Sequence, residues 1–125
     1  MQFKPPKDNE KYKWTNHVKS KMLYYGISES LIKRTVRFPK RKEEGVAAKT
    51  TAVMQPYGRP LKSNKPYGGE IWVMYQEMSG AQQTPSMLGS KKRIISSWRY
   101  PGVSPVGKKI PIPDEILQEL GDLIE

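Results

Sequence analysis

Hydrophobic positions in this chain follow more than one spacing. Ile71, Trp72, Val73, Met74 and Tyr75 run without a polar break inside the stretch Gly69–Met78. A strand solvated on one face alternates apolar and polar residues, whereas a strand covered on both faces need not. The run is short for a helix and its content is β-branched and aromatic. It is therefore expected to be a central strand, with a partner on either side and a cover on each face.

A helical period precedes it. Val18, Met22 and Tyr25 fall at i, i+4 and i+7, and Trp14 extends the stripe backwards by one turn. Thr15 or Asn16 is placed to cap this helix, and Gly26 to end it in a left-handed conformation. Ser28 is the cap of a second helix, with Ile27 and Ile32 as a hydrophobic staple. Leu31, Ile32, Thr35 and Val36 form its inner face; Lys33, Arg34 and Arg37 form its outer face. Pro39 stops it. Ile27 alone separates the two helices, so they make a tight hairpin.

Further strands are expected at Val46–Met54 and Lys92–Tyr100, with loops at Gln55–Gly69 and Ser79–Ser90. In the latter strand strict alternation puts Arg93, Ile95, Ser97 and Arg99 on one face and Ile94, Ser96, Trp98 and Tyr100 on the other. A proline-rich stretch, Val103–Pro113, leads to a terminal helix capped by Asp114. Its stripe Ile116, Leu117, Leu120 and Ile124 is expected on the sheet face opposite the hairpin, with its acids beside Arg93 and Arg99. The expected fold is thus α+β: a two-helix hairpin packed on a three-stranded antiparallel sheet, plus a C-terminal helix. Residues 1–13 read as a flexible basic arm, 14–100 as the domain, and 101–125 as strap and acidic helix packed on it.

Composition narrows the function. The chain has 125 residues, no Cys and one His. Disulfides, thiolate nucleophiles and multi-histidine zinc sites are excluded. No Asp/Glu cluster has ligand spacing, and neither metal nor cofactor is expected. No apolar run approaches the ~20 residues of a membrane helix, and the charged N-terminus does not read as a secretory signal. The expected location is cytoplasmic, without membrane contact. Residues 1–69 hold sixteen Lys and Arg against five acids, a local charge of +11; residues 70–125 hold six against seven. So lopsided a charge points to a polyanion, most often nucleic acid.

Candidate contacts to phosphate are Lys33, Arg34, Arg37, Lys40, Arg41 and Lys42 around the exit of the second helix. Arg59, Lys62 and Lys65 in the following loop join them. That loop contains Pro-Tyr-Gly twice, at Pro56–Gly58 and Pro66–Gly68. Tyrosines interleaved with cations fit a stacking surface for single strands; tyrosines packing on their own turns fit equally well. RNA cleavage without a metal needs a base, an acid and cations for the developing charge. His17 and Tyr100 are the candidate proton carriers; Lys21, Arg93 and Arg99 are the candidate cations. His17, near a helix start, also suits a structural bond to the sheet, and that reading takes precedence. No Gly-x-Ser-x-Gly turn supports a serine triad.

His17, Lys21, Met22, Gly26, Ile27 and Ser28 read H-x3-K-M-x3-G-I-S. This resembles the opening motif of small uncharacterised bacterial domains related to the RelE/ParE and BrnT toxins. The resemblance covers roughly residues 14–100, and the strand ending in Ser97-Trp98-Arg99 resembles that group's last strands. Lys21 stands where Arg is usual, and the Pro-Tyr-Gly loop and acidic tail depart from the pattern. The resemblance implies two helices over a twisted antiparallel sheet; toxin members of the group cut mRNA on the ribosome or bind gyrase. The leading expectation is an RNA-binding domain of this superfamily, with RNA or the ribosome as partner. The alternatives are an active metal-independent endoribonuclease toxin paired with an antitoxin, and an interaction module for an acidic protein.

Overall fold

A computed structural model describes residues 4–47, 49–60, 62–78 and 91–124, the last four by backbone alone. Among the described residues five strands and three helices follow one another as β1 (Tyr12–Trp14), α1 (Asn16–Tyr25), α2 (Glu29–Arg37), β2 (Arg41–Glu44), β3 (Thr50–Tyr57), β4 (Gly69–Glu77), β5 (Lys92–Pro101) and α3 (Asp114–Ile124). The strands form a single sheet in the order β1-β5-β4-β3-β2. The antiparallel meander β3-β4-β5 lies at its centre. β2 extends it antiparallel at one edge, and β1 runs parallel to β5 at the other. The fold is α+β, but the sheet is mixed and five-stranded rather than three-stranded.

β4 occupies the middle, and its unbroken apolar run has the expected cause. Val73, Ile71 and Tyr75 point into one core with Trp14, Val18, Met22, Ile27 and Ile32 of the hairpin segment. Trp72 and Met74 point into a second core with Met54, Trp98, Ile110, Ile116 and Leu120. α2 lies over β3 and β4 on the first face, while α1 lies along β5. The C-terminal strap and α3 cover the second face. Ile116 and Leu120 are buried there, whereas Leu117 is 41% exposed. The side chain of Ile124 lies outside the described residues.

The helix ends follow their caps. Thr15 Oγ1 accepts from the Val18 N–H, and Ser28 Oγ from the Leu31 N–H. Gly26 has φ 66°, and the Ile27 N–H bonds Met22 O at 2.9 Å, closing α1 in the left-handed turn that glycine favours.

Four expectations are corrected. Tyr12 and Lys13, placed in a flexible arm, are sheet residues. Their side chains alternate buried and exposed, and the Asp8 carboxylate accepts from the Trp14 N–H at 2.8 Å. Arg41 and Lys42, read only as part of a basic cluster at the exit of the second helix, are sheet residues: Arg41–Glu44 pairs with Met54–Thr51. The first meander strand starts at Thr50 rather than Val46, because Gly45 and Thr50 close the β2–β3 turn through Gly45 N–H to Thr50 O at 3.0 Å. Finally, a β-bulge interrupts β5. Ser96 pairs with Met74 and Ile94 with Tyr75, so Ile95 has no partner. One extra residue reverses the alternation. Arg93, opposite Gln76, therefore lies on the α3 face of the sheet, and Arg99, opposite Ile71, on the α2 face. The expected loop at residues 79–90 lies outside the described residues.

Candidate nucleic-acid interface

α2 presents its charge outward. Ile32 and Thr35 are buried, Leu31 and Val36 are partly buried, and Arg34 and Arg37 are exposed. Lys33 pairs with Glu29 one turn earlier at 2.6 Å. In β2 directly opposed residues share a face, and Lys42 opposes Val53, whose side chain packs in the α2 core. Lys42 therefore emerges on the α2 side of the sheet. Lys40 is exposed, and its N–H bonds Met54 O at 2.7 Å. Among the described residues, no carboxylate lies within ion-pair distance of Arg34, Arg37, Lys40 or Lys42.

Arg41 behaves differently. It opposes Met54, on the α3 face, and its side chain is 12% exposed. Nη1 donates to Ser104 Oγ at 2.6 Å, Nη2 to Glu43 at 2.9 Å, and the guanidinium lies over the Trp72 ring at 5.1 Å. Cross-strand pairing sets the row Arg41, Met54, Trp72, Trp98 across the sheet, with the two indoles stacked at 6.2 Å. Arg41 is thus consumed inside the protein and is withdrawn from the phosphate contacts.

The same core holds a buried carboxylate. Glu70 is fully buried, and each of its oxygens accepts two hydrogen bonds. Oε1 receives Trp72 Nε1 at 2.9 Å and Ser104 Oγ at 2.6 Å; Oε2 receives the Tyr67 hydroxyl at 2.7 Å and the Ser104 N–H at 3.1 Å. Burial pushes this carboxyl up. The bonds from Ser104, Tyr67 and Trp72 outweigh that and hold it below the ordinary carboxylate range. Burial and the bond to Glu70 in turn raise the Tyr67 phenol to about 12. Through Ser104 this carboxylate fastens the C-terminal strap to β4.

The two Pro-Tyr-Gly triplets frame the β3–β4 turn. Tyr67 turns to Glu70, while Tyr57 opposes Gly69 and lays its ring on it. A Cβ at Gly69 would stand 2.5 Å from Tyr57 Cζ. Arg99 stacks on that ring at 4.9 Å and donates to Tyr25 O at 2.7 Å and Gly26 O at 3.0 Å, capping α1. Both tyrosines thus pack on their own turns. Arg59, Lys62 and Lys65 are exposed in this turn, at the end of the sheet where Gly69 meets Pro101.

Of the candidate catalytic residues, His17 and Lys21 meet at Glu119, and Arg93, Arg99 and Tyr100 do not join them in one site. His17 is 8% exposed; its Nδ1 lies 3.0 Å from Glu119 and its Nε2 2.9 Å from Ser96 Oγ. A carboxylate only accepts, so Nδ1 carries the proton in the neutral ring and Nε2 accepts the Ser96 hydroxyl. This is the connectivity of a serine triad turned inside out. Ser96, where the nucleophile would be, is fully buried, and the outer end is Glu119, 44% exposed. Lys21 Nζ binds the other Glu119 oxygen at 2.9 Å. Burial lowers the His17 pKa and Lys21 lowers it further, against the raising effect of Glu119. Tyr100 packs on the α3-side core. Arg93 and Arg99 occupy opposite faces, and the expected neighbourhood of α3 acids and these arginines is replaced, for Glu119, by His17 and Lys21.

Every position of H-x3-K-M-x3-G-I-S therefore has a structural role. His17 and Lys21 hold Glu119, Met22 and Ile27 are core residues, Gly26 makes the left-handed turn, and Ser28 caps α2.

A cleft of about 840 Å³ was not foreseen. It opens between α2 and the segment leading into β1, lined by Asn9, Glu10, Lys11, Tyr12, Lys33, Val36, Arg37 and Lys92. Reading residues 1–13 as an arm hid Lys11. The only signal was the apolar–polar–apolar triplet Tyr12-Lys13-Trp14. Among the described residues no group of three or more His, Asp or Glu is arranged to hold a metal, and no helix is long and apolar enough to cross a membrane.

The geometry defines a small α+β domain: a mixed five-stranded sheet covered on both faces, basic over α2 and acidic over α3. No protein-family model matches the chain, and neither curated proteins nor solved structures give a significant match.

Proposed function

We propose that this chain is a nucleic-acid-binding domain, with RNA as its ligand, engaged along the outer face of α2 and the adjoining β2. One observation carries the reading. Arg34, Arg37, Lys40 and Lys42 are exposed, lack an ion-pair partner among the described residues, and sit across the sheet from the acidic α3. Phosphate contacts need this disposition: exposed, unpaired cations that displace the counterions condensed on the nucleic acid. The resemblance of the α1–α2 hairpin to RelE-like domains supports the choice of RNA. Catalysis has less support, because His17 and Ser96 are buried and the candidate cations are dispersed. Binding to a labelled oligoribonucleotide at low salt tests the proposal. Measurable affinity that weakens when Arg34 and Lys42 are changed to Gln is expected. No binding at low salt, or binding indifferent to both changes, overturns it.

A further inference from the structure

The cleft beside α2 allows the ligand to be specified further, and this step rests on the nucleic-acid reading above. Its two walls are both basic. Lys33 and Arg37 come from α2; Lys11 comes from the segment that enters β1, and Lys92 from the start of β5. Glu10 is the one acid in the lining. Lys33 and Lys92 have acidic neighbours, Glu29 at 2.6 Å and Glu77 at 3.7 Å. Lys11 and Arg37 have none within ion-pair distance among the described residues.

The cleft is also preformed. Asn9 Oδ1 accepts the Lys11 and Tyr12 N–H groups at 2.8 and 2.9 Å, and the Asn9 N–H bonds Tyr12 O at 2.9 Å. The Lys92 N–H bonds Lys11 O at 2.9 Å, which ties one wall to the sheet. Lys11 and Lys92 thereby stand on adjacent backbones along one wall, and with Lys33 and Arg37 on the other they make the cleft a place for an anion. At about 840 Å³ the space lies in the range that encloses a small ligand. It suits a nucleotide or two of extended chain.

We propose that this cleft seats an unpaired stretch of RNA, a loop or an end, with its phosphates between Lys11 and Lys92 on one side and Arg37 on the other. Arg34, Lys40 and Lys42 then guide the flanking backbone without regard to pairing.

The test compares a short single-stranded oligoribonucleotide with the same sequence in a duplex, by fluorescence anisotropy. The wild-type chain is expected to favour the single strand about tenfold or more, roughly one hydrogen-bonded ion contact in free energy. Lys11→Gln with Lys92→Gln should erase the preference, and Arg37→Gln, from the opposite wall, should weaken it independently. Arg34→Gln should lower both affinities alike. Thermal denaturation of each variant verifies folding, and Arg37→Gln stands in if the double variant does not fold. Equal or tighter duplex binding by the wild type overturns the cleft assignment and leaves the RNA-binding reading standing, as does an undiminished preference in both cleft variants. Failure of the wild type to bind either form overturns both.

Discussion

Removing the Glu70 carboxylate should cost a large part of the stability of this domain. The four donors around it respond differently to its loss. The Tyr67 and Ser104 hydroxyls can rotate towards other acceptors, but Trp72 Nε1 and the Ser104 N–H are fixed by ring and backbone. A buried donor left without a partner costs ~1–3 kcal/mol, so Glu70→Ala should destabilise by about 2–6 kcal/mol before any cavity cost. A domain of this length commonly has about 6–19 kcal/mol in total. Glu70→Gln keeps the shape and replaces an accepting oxygen by a donating amide; a loss of about 1.5–3 kcal/mol is expected. Urea denaturation followed by tryptophan fluorescence reads both, since Trp72 donates to this group. The sign with pH adds a second check. The Glu70 pKa is depressed in the fold, so its contribution is complete above the unfolded value near 4.5 and is lost as pH falls through the folded value. The gap between wild type and Glu70→Gln should therefore narrow on acidification. A Glu70→Ala protein within 1 kcal/mol of wild type, or a gap that widens in acid, would refute the reasoning.

Other outcomes follow from the same contacts. His17→Ala should cost about 1 kcal/mol or more through the lost bonds to Ser96 and Glu119, with RNA affinity retained. Because the folded His17 pKa lies below 6.5, the unfolded chain takes the proton first and wild-type stability should decline as pH drops through that interval; urea melts of His17→Ala should lack this decline. Leu120→Ala, on the buried face of α3, should cost ~2–5 kcal/mol in the same assay. Gly69→Ala drives a methyl group into the end of the Tyr57 ring, which is exposed and can swing aside, so the cost should fall at the low end of the ~1–3 kcal/mol of overpacking; a neutral substitution there would show that the ring does not rest on the glycine.

The legible parts of the fold were those in which local and tertiary signals agree. Thr15 and Ser28 mark helix starts by their hydroxyls and Gly26 a helix end by its backbone freedom, whereas Asp114, read as a cap, is the first residue inside α3; the five apolar residues of β4 demand two covers. The illegible parts depend on partners distant in sequence. Arg41–Glu44 is wholly charged and becomes a strand only because β3 offers a ladder; its charges suit an edge, where they discourage further pairing. β1 is three residues long and needs β5, about eighty residues away. The bulge at Ile95 is invisible to alternation, yet it decides that Arg93 and Arg99 part company. At the candidate site the outer cations of α2 were legible from helical period, whereas Arg41 was not separable from Lys40 and Lys42 without the register of β2. Lys92 and Lys11 were missed because a cleft is a property of packing. Glu119 was placed on the wrong neighbours for the same reason.

The central claim is that RNA meets the α2 side of the sheet and not the α3 side. An NMR titration of the isotope-labelled chain with a short single-stranded RNA addresses it directly, residue by residue. The account predicts that backbone amide shifts concentrate at Lys11, Lys33, Arg34, Arg37, Lys42 and Lys92, grow with RNA and fade with added salt, while Glu115–Leu120 stays unmoved. Shifts centred on α3, or a spectrum unchanged at excess RNA and low salt, would contradict it.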